Sequence, residues 1–256
     1  MSTYACSDLH AQYNLWEQIK NYLKPDDVLY NLGDTVDRGS CGLQILKESL
    51  AMSNIILLCG NHENFISYFG KMIIFAHSLG KTFQKYNPSF YSFWYSNGGK
   101  QTMQEFEALP LQEQINLIAA IDRLPTSTQY CNKNNNIIYL CHAGRQPLTN
   151  EIHDTGEGII PMNNFLWDRS HLLDQYWLGS DNEYCIHGHS PVQLFESKYL
   201  PYSYEEKKDI KKPIIKFYCE EHKIDIDLGS YSSKQTCLIN LDTFEEIYFG
   251  EKGEKK

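Results

Sequence analysis

The stretch from Asn31 to Gly39, NLGDTVDRG, sets the carboxylates of Asp34 and Asp37 and the guanidinium of Arg38 directly behind an apolar run and between two glycines. Charged groups in such a place are costly to desolvate without partners, so the cluster points to a metal, an anion or both. Similar polar groups close other apolar runs: Asp8 and His10, Asn61 and His62, His142, and His189. Oxygen and imidazole donors without thiolate suit Mn²⁺, Fe or Zn²⁺ rather than a cysteine-held structural zinc. They outnumber the ligands of one tetrahedral ion and suit two ions sharing a bridging carboxylate, the arrangement that serves in-line displacement at phosphorus. On this reading Asp34 bridges the ions, while Asp37 and Arg38 serve the substrate.

Such a site needs several strands ending at one edge. TYACSDLH reads as a short buried strand, and AQYNLWEQIKNYL follows with apolar residues at helical spacing. DDVLYNLGD and CGLQILKESLAM repeat that unit, and NIILLCGNHE is a third strand with a polar end. Each polar group can then sit at one edge of the same sheet, at the carboxyl ends where α/β sheets build sites. From about 64 to 123 the texture is helical, FISYFGKMIIFAHSLGKTFQKY and then LQEQINLIAAIDRL, joined by the aromatic link PSFYSFWYSNGG; this reads as an insertion over the site. Strand signals resume at NIIYLCHAG, EYCIHGHSP, KPIIKFYCE and TCLINLDT, with KYLPYSYEEKKDIKKP as a charged surface loop and GEKGEKK as a frayed tail.

The 256 residues, 42% hydrophobic, suffice for one core, and residues 1–256 are expected to form a single domain. A net charge of −9 disfavours a nucleic-acid partner, which would require a broad basic surface. No basic start leads into an apolar run, and no apolar segment nears membrane-spanning length, so a cytoplasmic protein with no membrane partner is expected. The eight cysteines stand singly, without a CxxC pair, and are read as reduced, mostly buried small hydrophobes.

SDLH, GDTVDRG, GNHE, HAG and HGHSP, in that order, resemble the metallophosphoesterases, and within them the bacterial and phage-type branch of the phosphoprotein phosphatases. WYSNGGKQTMQEF, LPTSTQYCNKNNNIIYLCHAG and IDLGSYSSKQTCLINLDT extend the resemblance over about residues 4–250. It implies an α/β fold, a four-layer αββα sandwich with two mixed sheets and the helical insertion. It also implies two divalent ions, Mn²⁺ foremost with Fe or Zn²⁺ as alternatives, one held by Asp8, His10 and Asp34 and the other by Asp34, Asn61, His142 and His189. His187 is then a neighbour rather than a ligand. His62, next to a ligand, is left to protonate the leaving oxygen, with Asp37 orienting and charging its imidazole. Arg38 matches phosphoryl oxygens with its planar fork. The family pattern of tryptophan, one residue and arginine falls on FLWDRS and adds Arg169. The chain departs from the family in carrying Ala11 where glycine is usual after SDLH, and Cys59 where a basic residue usually precedes GNHE.

Blander readings stand beside these. Arg145 is read as a solvated loop arginine, and His77, His153, His171 and His222 as surface or packing histidines. Glu63 is given a local capping or pairing role, and the aromatic link FYSFWY is read as core rather than groove. The resemblance implies a serine/threonine protein phosphatase working by direct attack of a hydroxide held between the two ions, on a phosphoprotein or a phosphorylated small molecule. Symmetrical diadenosine tetraphosphate hydrolases share fold and ligands but typically lack the aspartate matching Asp37. A non-catalytic binding module of the same fold should have lost ligands or the acid, and here every such position is filled.

Overall fold

The structure is a computed structural model that describes residues 1–145, 164–173, 176–196 and 213–250. Strand β1 (Thr3–Cys6) leads to helix α1 (Tyr13–Tyr22), β2 (Val28–Asn31) to α2 (Gly42–Ala51), and β3 (Ile55–Leu57) directly into α3 (Asn61–Ser78). The insertion continues through α4 (Phe83–Tyr86), α5 (Pro88–Trp94), a π-helical turn (Tyr95–Gly99), α6 (Lys100–Glu107) and α7 (Leu111–Ile121). Then come β4 (Ser127–Cys131), β5 (Ile137–Cys141), α8 (Ser170–Leu173), β6 (Glu183–His187), β7 (Lys216–Tyr218), β8 (Lys223–Asp225), α9 (Ser230–Ser233), β9 (Gln235–Asn240) and β10 (Glu246–Gly250).

The strands form two mixed sheets, ordered β10-β9-β1-β2-β3 and β4-β5-β6-β8-β7. This is the expected two-sheet sandwich with helices, and it corrects the expectation that all the polar strand ends share one sheet. Asp8, Asp34 and Asn61 follow parallel strands of the first sheet, whereas His142 and His189 follow the parallel β5 and β6 of the second. Sequence periodicity cannot separate the two, because both sets of strands are short and mostly apolar and the pattern within a strand does not name its partner.

Alternation along β1 explains the packing. Ala5 points into a core shared with Ile138, Leu140, Ile186 and Ile224 of the second sheet. Tyr4 and Cys6 point the other way, against Leu15, Trp16 and Ile19 of α1. A third core belongs to the insertion, where Phe65, Phe69, Trp94, Phe106 and Leu117 pack on Val36 and Leu43.

The helical reading of the insertion is right in kind and wrong in its breaks. The first predicted run is cut after α3, where Gly80 turns the chain at φ +67°, and the aromatic link is itself helix α5. Asn87 caps α5 by accepting from the Phe90 N–H, with Pro88 in its first turn, which is a start signal the aromatic composition obscured. Short edge strand β4, together with β8 and β10, escaped the sequence reading. The predicted loop 198–213 lies outside the described residues except for residue 213, and the predicted tail outside them except for residue 250.

Candidate active site

The ladder of the first sheet continues into its loops. Cys6 pairs with Asn31 at the strand ends, and beyond them the N–H groups of Asp8, His10 and Ala11 donate to the carbonyls of Gly33, Asp34 and Thr35. The two carboxylate-bearing loops are thereby held side by side. Asp8, His10, Asp34, Asp37, Arg38 and His189 all have left-handed backbones, with φ between 42° and 67°. Such conformations cost about 1–3 kcal/mol each away from glycine and persist where the surroundings enforce them.

Asp34 is the centre. Its Oδ2 lies 3.6 Å from His10 Nε2 and 3.8 Å from His62 Nε2, and its Oδ1 lies 3.4 Å from His142 Nε2. Asp8 Oδ1 stands 3.8 Å from His10 Nε2. On the other side Asn61 Oδ1 is 2.8 Å from His142 Nε2 and 2.9 Å from His189 Nδ1. Two groups of donor atoms, His10–Asp34–His62 and Asp34–His142–His189, therefore share one carboxylate. All of these residues are buried.

Backbone carbonyls set the imidazoles. His10 Nδ1 bonds Val36 O at 3.0 Å and His142 Nδ1 bonds Leu32 O at 2.9 Å, which leaves both Nε2 atoms facing the cluster. Burial first, and then the charge of Arg38, holds His10 and His62 well below the ordinary imidazole range; burial and then His142 do the same to His189. Burial, Asp8 and Glu63 push the Asp34 carboxyl well up. Neutral imidazoles offer free lone pairs, and carboxyls crowded together in a buried site call for positive charge between them, so the donor set fits two divalent ions.

His62 faces away from the second group. Its Nδ1 is 2.7 Å from Asp37 Oδ2, and its Nε2 is 3.2 Å from Arg38 Nη2. Since a guanidinium only donates, His62 Nε2 accepts in this state and the ring proton lies on Nδ1. The Trp94 indole N–H donates to the same Asp37 Oδ2 at 2.8 Å, and the Asp37 N–H donates to Thr102 Oγ1 at 3.1 Å. Burial lifts the Asp37 carboxyl to about 7 against those contacts and the Arg38 charge. The Arg38 N–H donates to Gly98 O, so the insertion grips the arginine by its backbone. Arg169 lies on the far side, its Nε donating to Ser190 Oγ at 3.2 Å, and Trp167 lies between, 5.9 Å from His189 and 6.4 Å from His62 by ring centres.

The calcineurin-like phosphoesterase family model (Metallophos) matches residues 1–229. The chain belongs to that family. No curated protein matches it by sequence. Among solved structures, a protein provisionally described as a diadenosine tetraphosphatase superposes at TM-score 0.56 with 13% identity, covering 98% of this chain and 94% of that one. A metallophosphoesterase from Sphaerobacter thermophilus superposes at 0.52 with 15% identity, covering 98% and 88%. The cold-active protein-tyrosine phosphatase of a psychrophilic Shewanella reaches 0.50 with 14% identity, covering 96% and 77%. At these identities the likeness concerns the fold.

In this phosphoesterase all ten candidate residues lie around the two-sheet edge, Arg169 at its rim. His187 is a neighbour as read, bonded through Nε2 to Tyr218 Oη. Arg145 is no solvated arginine: it pairs with Glu183 at 3.0 Å and lies over the Tyr139 ring. His77 pairs with Glu107 at the surface, His171 packs on His187 and His222 between Trp177 and Tyr184, all as read, while His153 lies outside the described residues. Glu63 does more than cap, accepting from the N–H groups of Gly60, Asp34 and Thr35.

The sequence reading missed Trp94 as a partner of Asp37. It also missed Gly60 and Gly188, where a Cβ would stand 2.2 Å from Asp34 Oδ1 and 2.1 Å from Asp8 Oδ2. Both glycines sit inside the GNHE and HGHS motifs, so a signal was present. Asp227, buried in IDLGS with its carboxyl pushed up by burial and then by Asp8, follows β8, whose Lys223 and Asp225 interrupt the apolar run that marks the other strand ends.

Proposed function

We propose that this phosphoesterase is a metal-dependent phosphomonoesterase acting on phosphoserine and phosphothreonine in proteins. Asp8, His10 and Asp34 would hold one divalent ion, Mn²⁺ foremost, and Asp34, Asn61, His142 and His189 the other. When bound, such a pair supplies an activated attacking oxygen and a clamp for the phosphoryl oxygens.

The observation that carries the reading is the buried Asp37–His62 pair, with Nδ1 and Oδ2 at 2.7 Å. A serine or threonine alkoxide is a poor leaving group and must receive a proton as it departs. A nucleotide phosphate leaves as a stable anion and has no such need. A histidine backed by a carboxylate therefore suits alkyl phosphate esters better than the pyrophosphate link of a dinucleotide.

In this scheme Arg38 moves from His62 Nε2 onto the phosphoryl oxygens as the substrate enters, where its fork pairs two of them. Nε2 is then free to carry a proton toward the leaving oxygen, and the Asp37 carboxylate stabilises the imidazolium. Arg169 supplies a second cation from the opposite side. Trp167 walls the space between and limits water.

The test is a side-by-side rate comparison, with Mn²⁺ supplied, on a phosphoserine/phosphothreonine peptide, a phosphotyrosine peptide and diadenosine tetraphosphate. Fastest turnover of the first supports the reading. Faster turnover of the dinucleotide or of phosphotyrosine would overturn it.

A further inference from the structure

The chain carries a net charge of −9, yet from Asn64 through Gln104 it contains no aspartate or glutamate, while lysines stand at 71, 81, 85 and 100. Lys71 and the nearby His77 are paired, with Asp122 at 2.9 Å and Glu107 at 3.6 Å, both supplied from outside that stretch. Among the described residues Lys81, Lys85 and Lys100 make no ion pair. The acid-free stretch 64–104 is thus a locally cationic part of an acidic molecule.

That face also exposes apolar side chains. Phe75 is 52% exposed, Leu79 50% and Tyr86 37%, and the Phe75 and Tyr86 rings meet edge to face at 5.5 Å. Phe75 and Leu79 lie four residues apart at the end of α3, so they share one side of the helix. Phe83, buried in the insertion core, fixes α4 so that Lys85 and Tyr86 stay outside. One small patch therefore combines three exposed apolar side chains with two exposed lysines.

The patch is tied to the catalytic end. Helix α3 begins at Asn61, and Phe75 lies about 21 Å along its axis at 1.5 Å per residue. The insertion then returns to the site, where Trp94 bonds Asp37 and Gly98 bonds Arg38. An extended peptide at about 3.3 Å per residue spans that axial distance in six or seven residues.

We propose that the face formed by Phe75, Leu79, Lys81, Lys85 and Tyr86 docks an acidic segment containing large apolar side chains, carried by the phosphoprotein substrate some seven residues from its phosphorylated side chain. This rests on the protein-phosphatase reading above. Charge complementarity selects the occupant, because the molecule is acidic as a whole while this stretch carries lysines and no carboxylate. A second copy packed face to face would set lysine against lysine. Docking adds binding energy remote from the reacting centre and so raises the effective concentration of the phosphorylated residue.

The experiment uses the full chain with Mn²⁺ and two phosphothreonine peptides that differ only in a distal segment, one Asp/Glu/Phe-rich and one Ser/Gly-rich. Lys81→Glu/Lys85→Glu and Phe75→Ser are compared with the parent, with p-nitrophenyl phosphate as the small substrate. The parent is expected to favour the acidic peptide by about tenfold in kcat/KM, through KM, as a second linked contact allows. Both variants should lose that preference and keep their rate on p-nitrophenyl phosphate. Equal use of the two peptides by the parent, or a preference that survives the lysine reversal, would overturn the proposal.

Fluorescence anisotropy of the unphosphorylated acidic peptide separates this outcome from failure of the phosphatase reading. Binding that is lost on lysine reversal supports the docking face even where no phosphopeptide is turned over. Absence of binding, self-association through this face, or binding only to phosphatidylserine vesicles would overturn it.

Discussion

His62 and Asp37 meet at 2.7 Å inside the protein, with the Trp94 indole on the same carboxylate oxygen and Arg38 on the opposite ring nitrogen. The imidazole is thus fixed on both edges by charged groups, and only one of them, Arg38, can be drawn off by an arriving phosphate. His62→Asn should leave metal content unchanged and lower turnover by about 10² to 10⁴, the usual worth of a general acid. Metal analysis beside kcat on a phosphothreonine peptide is the check, and undiminished turnover removes His62 from the chemistry.

Asp34 is shared by both donor groups, with one oxygen toward His10 and the other toward His142. Asp34→Asn should therefore lose both ions rather than one, and all activity with them. Metal stoichiometry on protein of unchanged circular dichroism reads this directly. Retention of one tightly held ion would show that the two groups are independent.

The Asp37 carboxyl, lifted by burial to about 7, gives the pH dependence a sign. Below about 7 the His62–Asp37 pair retains the extra proton that acid catalysis spends, and above it that proton is lost. Turnover of an alkyl phosphate should accordingly fall on the alkaline side. Asp37→Asn removes the anion that favours imidazolium and should move that limb to lower pH, which a kcat profile from pH 5 to 9 would show.

Trp94 was read as core, and it is fully buried, yet its N–H is spent on Asp37. Trp94→Phe keeps most of the packing and deletes that bond. A hydrogen bond to a charged group contributes about 1.5–3 kcal/mol, so kcat is expected to fall on the order of tenfold or more with metal content and KM little changed. A drop in thermal stability with no change in kcat would make Trp94 a packing residue only.

Glu63 gathers the N–H groups of Gly60, Asp34 and Thr35 and the Thr35 hydroxyl. Glu63→Ala would orphan these buried donors and let the Asp34 loop relax. A cost of about 3–5 kcal/mol is expected, as for other broken buried charge networks, and a thermal shift measures it. Retained stability would mean that water replaces the carboxylate.

The sequence by itself singled out the residues that the fold brings together at the sheet edges. Asp8, His10, Asp34, Asn61, His142 and His189 each follow a short apolar run, and that pattern is local: a strand announces itself within five residues, and its polar end comes next. The helical nature of the insertion was legible for the same reason. The tertiary structure alone decided what could not be local. It divided the strand ends between two sheets, which are alike in short-range pattern and differ only in pairing. It carried the His189 N–H to Asp8, 181 residues away, and turned Trp94 of an aromatic link toward Asp37, 57 residues away. It also made Arg145 a pinned structural residue by setting Tyr139 beneath it and Glu183 beside it. Such contacts arise from strand order and from the burial of whole helices, which are properties of the assembled chain and leave no periodicity in any one stretch of it.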